Sequence, residues 1–351
     1  MTPDQALVDE ILSGQIDILR FSAGVRAKVL AVLTRLQVEL STKLMTEQLT
    51  EFNKARTEQL LRQATATINK YYATAEEVLS TAMGNAADVV AAHTVAAAEV
   101  SLGVVLGTGL PSETFLARIA TNALVLGAPS SSWWSQQGAG LAFKFANEVR
   151  QGLAAGETNA QIVARVAGSP RKGIPGIMDI ARSNARSLVH TSIQAAANAS
   201  RMETYRKNSG DFKAVQWLAT LDSHTCEICG ARDLKEYSLD DPPEPIGHVM
   251  EWDGGPGVIH WSCRCIGVGV VKDIVGLPKL PVGQRASSIG PVKGNVSFQQ
   301  FLDRRGKVWQ DENLGPGRAE LYRANKLTLE QLLSLDGTRI NSVEQLKRRY
   351  Q

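Results

Sequence analysis

The sequence of 351 residues is poor in cysteine and aromatic residues, and it carries no large excess of charge. Its 38 Lys and Arg against 35 Asp and Glu give a net charge of +3, which argues against a strong polyanion binder. All 4 cysteines fall within residues 226–265, which is not the pattern of a secreted disulfide framework. No proline occurs between Pro3 and Pro111, so long uninterrupted helices are allowed there.

A long apolar run is also absent. The most apolar segment, residues 86–106, is interrupted by Asp88, His93 and Glu99, so it predicts a buried helix and no membrane span. The N-terminus lacks a basic start followed by an apolar run, and no signal peptide is expected from it. Clustered cysteines in a large chain then favour metal binding in a reducing compartment over disulfides or free thiols.

Residues 1–110 are predicted to form a region of long helices. Apolar residues recur there at steps of three and four, which places them on one helix face. They include Val25, Val29, Val32, Leu36 and Leu40. The face serves either as the core of a helical bundle or as the contact surface of an arm that packs on other subunits.

Residues 111–176 are predicted to form a second helical region. Ser112 is a candidate N-cap for a helix over residues 112–126, and Thr158 for a helix that runs through Ile162 and Val166 to Gly168. Between them, a helix over residues 141–153 is expected to carry Phe143, Phe145 and Val149.

Residues 177–271 are predicted to contain a helix over 178–208, strands over 214–220 and 266–271, and the four cysteines between the strands. The cysteines fall as Cys226-x-x-Cys229 and Cys263-Arg-Cys265, with His260 just ahead of the second pair. Such pairs can hold one zinc ion in a tetrahedron and staple two strands into a small ribbon. Five candidates compete for four positions: the four cysteines are the first choice, and His260 replaces Cys263 or Cys265, or hydrogen-bonds a ligand.

The spacing of the residues does not fit two common classes of zinc enzyme. No His-x-Glu precedes the Cys-x-x-Cys, as a zinc deaminase requires, and no His-Glu-x-x-His occurs. A metal-finger nuclease remains an alternative. It would use His260 or His248 as general base, with metal ligands drawn from Asp240, Asp241 and Asp253.

The segment around the cysteines resembles the Mu protein F-like family of phage head morphogenesis proteins. The motif is a Trp-containing strand, Thr-x-Asp-Ser-x-Thr-Cys-x-x-Cys, an acidic loop and His-Trp-x-Cys-Arg-Cys. Its positions are Trp217, Thr220, Asp222, Ser223, Thr225, Cys226, Cys229, His260, Trp261, Cys263, Arg264 and Cys265. The helix ahead resembles the family's as well, through Ala197, Asn198, Ala199 and Arg201, but His190-Thr191-Ser192 replaces the usual Arg-Thr-Glu.

The resemblance implies a structural minor head protein of a tailed phage and no specific enzymatic activity. It implies several copies per virion, associated with the portal protein inside the head, and host cytoplasm as the place of assembly. Roles in DNA packaging or ejection follow for some members. The major capsid or scaffold protein and packaged DNA are further partners to consider, and no membrane is involved.

The tail is predicted to hold an extended linker over residues 272–297, rich in proline and glycine, and a small helical module over 298–351. Its core candidates are Phe301, Leu302, Trp309 and Leu314, and Thr328-x-x-Gln331 and Ser342-x-x-Gln345 are predicted capping boxes. The basic run 347–349 suits a helix C-terminus or a DNA contact, so a DNA-binding packaging factor stays an alternative. The predicted fold is mainly α with a small zinc-stapled β ribbon, an α+β class.

Overall fold

The computed structural model describes residues 3–47, 54–103, 109–169, 173–272 and 284–350. Helices dominate it. Their bounds are α1 Pro3–Thr46, α2 Lys54–Leu102, α3 Glu113–Asn122, α4 Ser130–Ala154, α5 Asn159–Ala167, α6 Ile177–Lys207, α7 Glu227–Arg232, α8 Phe298–Asp303, α9 Lys307–Leu314, α10 Pro316–Asn325 and α11 Val343–Tyr350. The strands are β1 Leu124–Val125, β2 Ala128–Pro129, β3 Phe212–Leu218, β4 Glu236–Tyr237, β5 Pro245–Ile246, β6 Ile266–Val271, β7 Gln284–Arg285 and β8 Val292–Lys293.

The chain divides into two compact units. One unit, called here the helical unit, comprises Ile18–Ala86 and Ala117–Ala196. The other, called the knuckle unit, comprises Met1–Asp17, Ala87–Leu116 and Ala197–Gln351, and it contains all four cysteines.

The helical unit has a core of regularly spaced apolar side chains. The predicted face of α1 is confirmed: Val25, Val29, Val32, Leu36 and Leu40 are all buried. On α4, Trp134 packs edge-on against Tyr72 of α2, with ring centroids 5.8 Å apart. Gly138, one turn later, leaves room for the same tyrosine ring, because a Cβ there would lie 3.3 Å from it.

The predicted end of the helix from Ser112 is wrong. The helix from Ser112 ends at Asn122, because Leu124–Val125 pairs with Ala128–Pro129 through a turn in which Leu126 and Gly127 have φ of 48° and 84°. Phe143 is 69% exposed, while Leu141, Phe145 and Val149 form the buried side of α4. Apolar residues alone do not fix which side of a helix faces inward.

The knuckle unit is built on a four-stranded antiparallel sheet in the order β5-β4-β3-β6. This confirms the predicted α+β class, although the sheet has four strands where the sequence predicted a ribbon of two. The long pair is β3 with β6, and Trp217 lies opposite Gly267 in its register. Residues of α1, α2 and α6 join the sheet's apolar core, among them Leu7, Ala97 and Tyr205.

The C-terminal helices form a second core in the knuckle unit, called here the C-terminal module (residues 298–350). Phe301, Leu302 and Leu314 are buried in it, and Trp309 packs partly buried against them, as predicted. Thr328 and Gln331 exchange the predicted capping hydrogen bonds, but only a 3₁₀ turn, Glu330–Leu332, follows. Within residues 272–297, β7 and β8 pair as a hairpin.

None of the described helices combines the length and the apolar character needed to cross a membrane.

Candidate metal centre

Two turns carry the five predicted ligands. Cys226 is the N-cap of α7, and its carbonyl accepts a hydrogen bond from Gly230 N at 2.8 Å, which places Cys229 on the first turn of the helix. The second turn runs from His260 to Cys263, whose amide donates to the His260 carbonyl at 3.3 Å, and it continues through Cys265 into β6. Because β3 and β6 are paired, the turns at their ends are held side by side.

The ligand atoms of these residues converge in two groups that share Cys229. Cys226, Cys229 and His260 form one group, and Cys229, Cys263 and Cys265 form the other, each with its ligand atoms within 4.8 Å of one another. His260 Nε2 lies 3.3 Å from Cys226 Sγ and 3.1 Å from Cys229 Sγ, and Cys229 Sγ lies 3.6 Å from Cys263 Sγ. Two sulfur ligands at ~2.3 Å from one zinc ion stand ~3.8 Å apart in a tetrahedron, so these spacings suit a shared ion.

The orientation of His260 suits a metal ligand. Its Nδ1 lies 3.0 Å from the Trp261 carbonyl oxygen, which can only accept, so Nδ1 carries a proton and Nε2 faces the sulfurs. Metal-binding histidines are held in this way by a hydrogen bond from the ring nitrogen that does not ligate. The donor set therefore fits a thiophilic ion of the zinc class.

The electrostatics of the cluster call for a cation among the sulfurs. The hydrogen bond with Cys229, and then the contact with His260, lowers the pKa of Cys226 to about 5. Burial acts to lower the pKa of His260, but its hydrogen bonds to Cys226 and Cys263 outweigh burial and raise that pKa to about 11. Without a metal, the imidazolium proton supplies the positive charge that a bound ion would otherwise provide.

An ion pair joins the two ligand turns. Arg264, between Cys263 and Cys265, donates two hydrogen bonds to the Asp222 carboxylate at 2.6 and 2.7 Å. Asp222 also accepts from His224 N at 2.9 Å, as expected for a residue that shapes the turn before Cys226. The pair lies partly buried and fixes the Cys-Arg-Cys turn against the Cys-x-x-Cys turn. Both residues belong to the motif quoted from the sequence.

A second, fully buried ion pair lies just beyond α7 and was missed in the sequence. Asp233, at the C-terminal end of α7, pairs with Arg285 of β7 at 2.9 Å, and their side chains are 0% and 4% exposed. Its carboxylate also accepts the backbone amides of Ala219 and Phe298, each at 2.7 Å. Asp233 thus connects β3, the β7–β8 hairpin and the C-terminal module. No sequence spacing pointed to a partner 52 residues away.

The loop between the cysteine pairs contributes an aromatic cluster. Trp217 and Trp252 meet edge-on with centroids 5.9 Å apart, and Tyr237 lies 5.0 Å from Trp252 and 4.8 Å from the His248 ring. β4 and β5 pair into the sheet beside these rings, so this part of the loop is packed onto the sheet.

The residues proposed for a nuclease are not brought together. The metal-ligand clusters found among the described residues contain cysteine and histidine alone, without Asp240, Asp241 or Asp253. His248 Nε2 is bonded to the Glu236 carbonyl at 2.8 Å and its Nδ1 accepts from Met250 N at 3.2 Å, so both ring nitrogens are used structurally. His260 faces thiols.

Part of the chain matches a known protein family. Residues 144–268 match the family model described as phage Mu protein F like protein. The matched segment covers α6, the sheet strands β3 to β5 and all five ligand candidates, and it begins well before the sequence motif. Neither the curated proteins nor the solved structures compared with the chain gave a match. The match confirms, over this segment, the resemblance that points to phage head morphogenesis.

Proposed function

We propose that this protein is a structural minor head protein of a tailed phage, associated with the portal inside the capsid. The observation that carries the proposal is that the Mu F-like segment contains the metal cluster. The role is to build and hold the head near the portal, with DNA packaging or ejection as the steps in which it takes part. Partners would be the portal protein first, then the capsid or scaffold protein and packaged DNA.

The metal in this proposal is one structural zinc ion per chain, held by Cys226, Cys229, His260 and Cys263. His260 contacts each of these three sulfurs, which is the reason for assigning it as the fourth ligand in place of Cys265. Four protein ligands fill a tetrahedron and leave no position for substrate or water, so the site stabilises the fold and does not catalyse.

Elemental analysis tests the zinc site. Purified full-length protein is expected to hold one zinc per chain, and X-ray absorption at the zinc edge is expected to show three sulfur ligands and one nitrogen. A shell of four sulfurs would return the assignment to the four cysteines, and metal-free protein would overturn the zinc proposal.

Co-expression with the portal protein of the same phage tests the role. The protein is expected to co-purify with the portal oligomer and to be found in assembled heads. Failure to bind the portal, together with plasmid cleavage in Mg²⁺ or Mn²⁺ that is lost in His260→Ala, would replace the structural role with a nuclease. Steeply salt-dependent DNA binding without portal binding would favour a packaging factor instead.

A further inference from the structure

The helix that bears the first ligand pair has a second, different face. α7 has six residues, too few for a helix to be stable in isolation. Cys229 belongs to the core under the sheet, while Ala231 belongs to the core of the C-terminal module and Ile228 packs against that core. Its stability must therefore come from both sides.

α7 packs tightly against the module at Gly230. A Cβ on Gly230 would lie 2.4 Å from the Phe298 ring and 3.0 Å from Leu329 Cδ1, so α7 approaches the module at its glycine. Glu227, next to Cys226 and 4% exposed, pairs with Arg318 at 3.1 Å. Arg232 is fully buried and donates to the Gly337 carbonyl at 3.0 Å.

The module also holds the turn that precedes α7. The side-chain amide of Asn313, in α9, donates to the Ser223 carbonyl at 3.2 Å and to the Thr225 carbonyl at 2.8 Å. Both carbonyls belong to the turn that leads directly into Cys226. The C-terminal module thus contacts the Cys-x-x-Cys turn on both sides of its first cysteine.

We propose that zinc binding and docking of the C-terminal module are thermodynamically coupled through α7, an inference that rests on the zinc site proposed above. Zinc holds α7 from one side and the module holds it from the other. When zinc is bound, α7 is already in place for the module to pack on, and when the module is docked, Cys226 and Cys229 are already in place for zinc. By linkage the coupling is reciprocal: loss of zinc loosens the module, and loss of docking weakens zinc binding by the same factor.

Hydrogen exchange of the full-length protein, with zinc and after chelation, tests the first direction. Chelation is expected to reduce amide protection about tenfold or more in residues 298–350 as well as in residues 217–271, a factor typical of coupled sites. Peptides from α4, in the helical unit, serve as the internal control and are expected to keep their protection.

Zinc affinity, measured by competition with a chromophoric chelator, tests the reverse direction. Asn313→Ala is expected to weaken zinc binding about tenfold, because it frees the turn before Cys226 without touching a ligand. Arg318→Ala is the second docking variant, in case the first fails to fold. Arg348→Ala, on an exposed position of the same module, is the matched control and is expected to leave affinity unchanged.

The outcomes separate the two proposals. One bound zinc, with chelation affecting residues 217–271 alone and Asn313→Ala binding zinc normally, would overturn the coupling and leave the zinc site standing. Absence of zinc from the purified protein would overturn both.

Discussion

The helical unit and the knuckle unit are stabilised by different means. In the helical unit, regularly spaced apolar side chains of long helices are buried, and one of the ion pairs, between Arg150 and Glu58, lies about half exposed. In the knuckle unit, strands of two to seven residues and a six-residue helix surround a buried cluster of thiols and a fully buried Asp233–Arg285 pair.

The difference shows how short strands and turns can be held in a fixed position relative to one another. A long helix gains its stabilisation from many small atomic contacts spread along its length. Short strands and turns each bury little apolar surface, so in the knuckle unit a few directional links act together with its two apolar cores. We therefore expect single substitutions to have their largest effects at the directional links of the knuckle unit, and smaller effects in the helical unit.

The largest effect is expected from Cys229→Ser, because Cys229 is the residue that the two ligand groups share. Zinc content should fall from about one per chain to zero, and residues 217–271 should become sensitive to protease, since structural zinc contributes about 10–16 kcal/mol in small zinc domains. Elemental analysis and limited proteolysis measure both. Cys265→Ser, outside the proposed ligand set, should keep its zinc. A Cys229→Ser protein that still holds zinc would contradict the assignment.

Arg285→Ala is expected to have the next largest effect. It leaves Asp233 buried without its cation, and breaking a buried pair in this way costs about 3–5 kcal/mol. Urea unfolding measures the loss. Arg150→Ala, which removes the exposed partner of Glu58, is the control and should cost no more than about 1 kcal/mol. Equal losses in the two variants would show that burial does not distinguish these pairs.

Leu141→Ala tests the distributed core of the helical unit. Leu141 is 4% exposed on α4, and its truncation should lower the free energy of unfolding by about 3 kcal/mol. Phe143→Ala, two residues away and 69% exposed, should change it by less than about 0.5 kcal/mol. The reverse ranking in thermal or urea unfolding would mean that α4 packs through its other side.

The smallest effect is expected at a helix end. Thr158 caps α5 by a reciprocal pair of hydrogen bonds with Gln161, and Thr158→Ala should cost about 1 kcal/mol. Thr158→Ser retains the hydroxyl and should restore most of that loss. If serine and alanine behave alike when unfolding is followed by circular dichroism, the capping hydroxyl does not contribute.

The sequence predicted the elements whose signals are local. The apolar spacing of α1, the cap at Thr158, the strand at Ile266–Val271 and the convergence of the five ligand candidates all follow from residues close in the chain or from one motif. The choice among the five ligands and the domain boundaries stay predictions, because no spacing rule distinguishes His260 from Cys265.

Features that depend on distant partners could not be predicted. Asp233 and Arg285 are ordinary charged residues in the sequence, and only the fold brings them together. The exposure of Phe143 and the contact between Tyr237 and Trp252 also depend on the fold. The sequence around these residues does not show which neighbours they will meet.

The clustered rings of Trp217, Tyr237 and Trp252 provide an intrinsic fluorescent probe of the metal cluster. Trp217 is fully buried and lies on the strand that leads to Cys226. A cobalt ion placed among these sulfurs would absorb in the visible and near-ultraviolet range and quench the indole emission by energy transfer. Metal exchange could then be followed in real time by fluorescence, in the unlabelled protein and within assembled particles.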